Sequence, residues 1–212
     1  MIPAGLISGG CRILLRALLV VIVSSFLSLD GLPSHAASLG DEARLIEAMQ
    51  KGGVVVLIRH SATDPGVGDP PGFRLADCSS QRNLSPEGRE QAQRIGAWFK
   101  NHGIKPTAVR VSPWCRTRET ARLAFGQSTD WTALSNILGD RSREGEYASQ
   151  VREAIKRVDK GAIEVFVSHG VSISAHIDIY LSQGEMVVVR PTRAAAAGDL
   201  DGVEVLGRVR VP

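Results

Sequence analysis

Two histidines stand at the ends of short apolar runs. His60 closes Val54-Val55-Val56-Leu57-Ile58-Arg59-His60, and His169 follows Val165-Phe166-Val167-Ser168. A neutral imidazole can attack phosphorus and carry the phosphoryl group as phosphohistidine. A second imidazole, protonated beside a dianion, can stabilise the charge that develops during transfer. Two arginines fit the same chemistry. Arg59 precedes His60 directly, and Arg116 lies in Ser112-Pro113-Trp114-Cys115-Arg116. Guanidinium groups offer paired donors to phosphate oxygens. The same four residues suit a metal poorly, because the arginines oppose a cation and no carboxylate accompanies the histidines. The site residues expected from types and spacing are therefore His60 as nucleophile, with Arg59, Arg116 and His169 binding phosphate, without metal or cofactor.

The elements that must position these residues can be read from periodicity. Val54–Ile58 is a strand buried on both faces. Ala108–Ser112 and Ile163–Ser168 are two more, and each ends in polar residues. In a parallel sheet such carboxyl ends share one edge, where open α/β proteins bind ligands. Leu39–Lys51 has the pattern of an amphipathic helix closed by Gly52-Gly53. Ser85 caps a helix with Pro86 at its first position, running to about Asn101. Helices are also expected over Thr117–Phe125, Tyr147–Asp159 and Val171–Ser182, with strands over Met186–Arg190 and Val203–Val211. The Pro/Gly-rich stretch from Ser61 to Arg82 is a long loop leaving the His60 edge, expected as a wall or lid of the pocket. The fold class is α/β: a three-layer α/β/α sandwich with a mostly parallel central sheet.

Four ordered blocks also resemble the histidine phosphatase superfamily, also called phosphoglycerate mutase-like. Its Arg-His-Gly strand end is similar to Arg59-His60-Ser61, with serine in place of the usual glycine. Its Leu-Ser-x-x-Gly-x-x-Gln-Ala helix start matches Leu84 to Ala92. Its Ser-Pro-x-x-Arg-x-x-x-Thr-Ala block matches Ser112 to Ala121, and its late Ser-His-Gly matches Ser168-His169-Gly170. The resemblance implies the phosphoglycerate mutase-like fold and a metal-independent phosphohydrolase of the histidine acid phosphatase type. His60 would be phosphorylated, and Arg59, Arg116 and His169 would line the phosphate pocket. Asp77 to Ser85, with Trp114-Cys115-Arg116, further resembles an exported bacterial subgroup related to phosphatases of lipopolysaccharide-core heptose phosphate. One departure bears on mechanism. Where many members carry Leu-x-Glu, a general acid for the leaving group, this chain has Leu134-Ser135-Asn136. Asp140 or Glu144 are the candidates to replace it. Two alternatives follow from the missing glutamate: a non-catalytic binder of phosphate ligands, or a phosphohistidine protein phosphatase, whose P–N bond needs little acid help.

The chain has 212 residues, a 43% apolar fraction and a net charge of +3. That suits one domain plus a targeting segment. The absence of a dense Lys/Arg run argues against nucleic acid as the partner. The expected partner is a small-molecule or glycan phosphomonoester. Residues 1–36 read as a secretory signal: Arg12 and Arg16, an apolar run to Leu29, then Gly31, Pro33 and small residues, with cleavage after Ala36. The alternative is an uncleaved anchor, the one expected contact with a membrane. Either reading puts the domain, residues 37–212, in the periplasm or outside the cell. Cys78 and Cys115 remain after the signal, either paired in that oxidising compartment or as two separate small core residues.

Overall fold

The computed structural model describes residues 39–66, 68–192 and 201–211; the segment read as a signal and the alanine run at 194–197 lie outside them. The central strand β1 (Val54–Arg59) sets the layers. Side chains alternate across a strand, and both faces of β1 are dry. Val54, Val56 and Ile58 join one core with Ile95, Phe99 and Ala121. Val55 and Leu57 join the other with Val151, Ile155 and Ile173. A strand covered on both sides needs apolar residues at every position, which is why Val54–Ile58 reads as an unbroken run.

The first core is closed by α1 (Leu39–Lys51), α2 (Pro86–Asn101) and α3 (Cys115–Phe125). The second is closed by α4 (Glu144–Lys156) and α5 (Gly170–Ile177). Between them lies a six-stranded sheet. Its strands are β1, β2 (Ala108–Val111), β3 (Thr129–Asp130), β4 (Ile163–Ser168), β5 (Glu185–Pro191) and β6 (Val203–Arg210), in the order β3-β2-β4-β1-β5-β6. β1 to β4 run parallel, while β5 is antiparallel to both β1 and β6. The fold is thus the α/β sandwich with a mostly parallel sheet. Among the described residues, no helix is long and apolar enough to cross a membrane.

The element bounds differ from the sequence reading in ways that matter to the site. The helix expected to run to Ser182 stops at Ile177, where Asp178 turns left-handed with φ 54°. The following residues cross the carboxyl edge of the sheet instead. There the Leu181 carbonyl accepts from Arg59, and the Gly184 N–H donates to the Arg59 and His60 carbonyls. This crossing starts β5 at the same edge where β1 ends, so the pair must be antiparallel. Helix α3 begins two residues earlier than expected, and α4 begins at Glu144 rather than Tyr147. The polar stretch after α3 holds the two-residue strand β3 and a single 3-10 turn over Thr132–Leu134.

Candidate active site

His60 and His169 leave adjacent strands. Arg59 pairs with Ser168 in the β1–β4 register, and the His60 N–H extends the ladder to the Ser168 carbonyl at 2.9 Å. The two imidazoles meet edge to face, 5.4 Å between centroids. On the neighbouring strand, the Ser112 N–H bonds the Val167 carbonyl, and Ser112 Oγ lies 2.8 Å from His169 Nε2. Arg116 sits in the first turn of α3, directly after that strand. The parallel sheet therefore brings Arg59, His60, Arg116 and His169 to one edge. His60 is 2%, His169 3% and Arg116 1% exposed, so the centre is enclosed.

The sequence blocks acquire physical reasons here. Ser85 caps α2 by accepting from the Gly88 N–H at 3.0 Å. Gly88 presses against the turn that follows His60: a Cβ there would lie 1.8 Å from the Ala62 carbonyl oxygen. Three residues on, Gln91 accepts from the Ala62 N–H at 2.9 Å and donates to the Gln183 carbonyl at 3.1 Å. Thr120 of α3 accepts from the Ser61 N–H at 3.1 Å. A Cβ at Gly170 would sit 2.9 Å from the Tyr180 ring and 3.1 Å from Arg59 Nη1, so glycine leaves both side chains in place. Both helix starts and the α5 start thus clamp the backbone on either side of His60.

The tautomer of His60 follows from its partner. Nδ1 lies 2.8 Å from the Ser61 carbonyl, which can only accept, so Nδ1 carries the proton. Burial first, then the charge of Arg116, lower the His60 pKa to about 3. The ring is therefore neutral, and its lone pair is on Nε2. Burial and then Arg116 also hold His169 well below the ordinary histidine range. A proton on His169 must therefore arrive together with a bound anion, the state in which a second imidazole stabilises charge beside a dianion.

Several polar nitrogens at this edge lack partners. Arg59 Nε, Arg82 Nε, Arg116 Nε and His169 Nδ1 are all buried without a hydrogen bond. Buried N–H groups are rarely left unpaired in a native protein without a functional reason. Arg82, at the end of the long loop before α2, bears on both imidazoles together with Arg59 and Arg116. It lies within the Asp77–Ser85 stretch, but nothing local marks it as an anion ligand, because its place is set by how the loop folds before α2.

That loop supplies a second residue with no sequence signal. Asp69 accepts from Arg116 Nη1 at 2.7 Å and Nη2 at 3.2 Å, from the Trp114 indole at 3.2 Å, and from the Arg82 N–H at 3.0 Å. Burial pushes its carboxyl up, but the Arg116 guanidinium outweighs burial and holds it below the usual carboxylate range. The expected lid thus rests on the arginine through a buried ion pair. The far end of the loop is stapled to the start of α3 by a Cys78–Cys115 disulfide, with 5.6 Å between Cα atoms. An Asp69→Asn variant is expected to lose about 2 kcal/mol of stability, because Arg116 stays buried without its counter-charge. Inorganic phosphate should raise the melting temperature of that variant more than that of the unchanged protein, by resupplying an anion to Arg116. Thermal melts with and without phosphate test this; equal shifts would contradict it.

The two candidate acids lie apart from this cluster. Asp140 is exposed and accepts from the Ser142 N–H at 2.9 Å, a contact that lowers its pKa. Glu144 is half-buried and accepts from Arg141 Nη2 at 2.9 Å; this pairing lowers its pKa too. Asp140 lines a 680 Å³ cleft beside Asn136 and Trp114, whereas Glu144 does not. A second cleft of 370 Å³ adjoins Arg59 and Arg82. A further cleft of 1000 Å³ runs beside β2 and β3 and holds none of the four predicted site residues. Among the described residues, no group of three His, Cys, Asp or Glu side chains could hold a metal ion.

Residues 55–138 match the model of the histidine phosphatase superfamily, branch 1. The match contains Arg59, His60 and Arg116, while His169 lies beyond it. Among solved structures, the chain is similar to Rv3214 from Mycobacterium tuberculosis, at 16% identity and a TM-score of 0.54, over 73% of this chain and 95% of that one. It is also similar to a phosphoserine phosphatase variant from Entamoeba histolytica in complex with phosphoserine (13% identity, TM-score 0.52, 73% and 95% covered). A third likeness is to the protein histidine phosphatase SixA complexed with tungstate (15% identity, TM-score 0.51, 73% and 95% covered). At such identities the likeness is one of fold. No curated protein sequence matches the chain.

Proposed function

We propose that the protein is an exported, metal-independent phosphomonoester hydrolase that works through phospho-His60. One observation carries the reading: a neutral histidine with its lone pair on Nε2 stands among three arginines whose buried Nε–H groups have no partner. An anion is the ligand that such donors lack. In the first step His60 Nε2 bonds to phosphorus as the ester P–O bond breaks, and the alcohol oxygen takes a proton from solvent water. In the second step water bonds to phosphorus, the P–N bond breaks, and orthophosphate leaves. Arg59, Arg82, Arg116 and His169 hold the phosphoryl oxygens through both steps, and His169 gains its proton as the dianion binds. Asp69 must release or share Arg116 for this to happen. The superfamily match over residues 55–138 supports phosphohydrolysis. The loop-to-helix disulfide supports an oxidising compartment, in line with the signal-like N-terminus.

A second reading is favoured by the surroundings of Asn136. Asp140 and Glu144 are both held ionised by their own neighbours, which makes them poor proton donors. A phosphohistidine protein as substrate would need none. Turnover by the protein without its first 36 residues discriminates these readings. The substrates are p-nitrophenyl phosphate, alkyl phosphates, a heptose phosphate and a histidine-phosphorylated protein. The expected result is hydrolysis of esters without added metal, fastest for p-nitrophenyl phosphate, whose leaving group needs no acid. Exclusive turnover of the phosphohistidine protein would establish the second reading, and phosphate binding without any turnover would make the protein a binder.

A further inference from the structure

The cleft beside Trp114 differs in character from the enclosed centre it adjoins. Phe73, Leu75, Trp114, Leu138 and Tyr147 line it. Leu75 is 39% and Leu138 58% exposed, two of the three large hydrophobic side chains left exposed among the described residues. The third, Tyr180, is hydrogen-bonded to Arg59 at 2.9 Å. Single exposed leucines are ordinary on a protein surface. Two that converge on one cleft with three aromatic rings are not scattered.

The cleft adjoins the catalytic centre through Trp114 and Asp69. Trp114 lines it and packs its ring against His169, 5.4 Å between centroids. Asp69 lines it while holding Arg116. Its charged groups are already engaged, and Thr132, Ser135 and Asn136 are its remaining polar side chains. Arg143 stacks on Tyr147 at 4.7 Å, donates to the Tyr147 hydroxyl at 2.9 Å and pairs with Glu146. Asp140 accepts from Ser142. A polyhydroxylated leaving group placed here would lose water and find few new partners. An apolar one would gain by burial. The volume of 680 Å³ is that of a small-molecule site.

We propose that this cleft takes the leaving group, and that the substrate is the phosphomonoester of an apolar alcohol, alkyl or aryl, rather than a sugar phosphate. The inference rests on the phosphatase reading above. The smaller cleft beside Arg59 and Arg82 also holds Asp64 and Gln183, and it is the place a polar leaving group would favour.

Alkylphosphonates test the proposal without turnover, because their C–P bond is not hydrolysed. Dissociation constants of inorganic phosphate and of ethyl-, butyl- and hexylphosphonate are measured by calorimetry on the protein and on a Leu75→Ser/Leu138→Ser variant. Each buried methylene should tighten binding two- to four-fold. From ethyl to hexyl the gain should be at least about tenfold in the unchanged protein and largely lost in the variant, with phosphate affinity the same in both. Phosphate binding with no dependence on chain length would overturn the apolar leaving group and leave the phosphatase reading standing. No binding of phosphate at all would overturn both.

Discussion

Replacing His60 by alanine is expected to lower phosphomonoester turnover at least about a thousandfold, roughly 4 kcal/mol of transition-state stabilisation. The variant removes the lone pair on Nε2 and leaves the anion-binding groups in place. Arg59 keeps its bonds to the Tyr180 hydroxyl and the Leu181 carbonyl, and Arg116 keeps its place in α3. Phosphate affinity should therefore change by only a few-fold. The backbone that frames the site is clamped by Gln91 and Thr120 and does not depend on the imidazole. Steady-state kinetics and calorimetric titration with phosphate, run together, check the prediction. Retained turnover would remove His60 from the mechanism. Joint loss of turnover and phosphate binding would mean that the imidazole holds the site together rather than reacting.

The second large effect is on stability in acid. His60, His169 and His176 are all buried, and burial is the leading cause that lowers each: His60 to about 3, His176 to about 4, His169 well below its ordinary value. The native state keeps these rings neutral, whereas the unfolded chain binds a proton at each below about pH 6.5. The unfolded state then holds more protons, so stability rises with pH across this window and is lost as pH falls from about 6.5 toward the lowered native values. Each histidine contributes up to about 1.4 kcal/mol per pH unit, and the three together up to about 4 near pH 5. Denaturant unfolding at pH 7.5, 6 and 5 should show this steep decline. Inorganic phosphate should flatten it, because the bound anion favours a proton on His169. Unchanged stability between pH 7.5 and 5 would contradict the account of neutral, buried rings.

Much of this architecture was legible in the chain. The unbroken apolar run of β1 reports burial on both faces, and the polar residues that end β1 and β4 mark the working edge of the sheet. Gly88, Gln91, Thr120 and Gly170 were visible as parts of blocks, but their reasons were not. Each touches backbone or side chains distant in sequence, and such contacts leave no local pattern. The same limit explains the two missed residues. Asp69 looks like any turn aspartate in a Gly-Asp-Pro-Pro-Gly stretch, and its role is set by an arginine 47 residues away. Arg82 looks like a surface arginine until the loop folds over the strand ends. The direction of β5 was also hidden, because it depends on where α5 stops. Asp178 ends that helix without a glycine or proline to announce it.

The central claim is a covalent phosphoryl group on His60. The most direct measurement is rapid alkaline quenching of the protein during turnover of p-nitrophenyl phosphate, followed by peptide mass spectrometry. The account predicts an acid-labile, alkali-stable phosphoryl group on the peptide containing His60, formed at least as fast as the steady-state rate and absent from His60→Ala. Turnover with no phosphorylated histidine, or with the label on Ser61 or His169 instead, would contradict it.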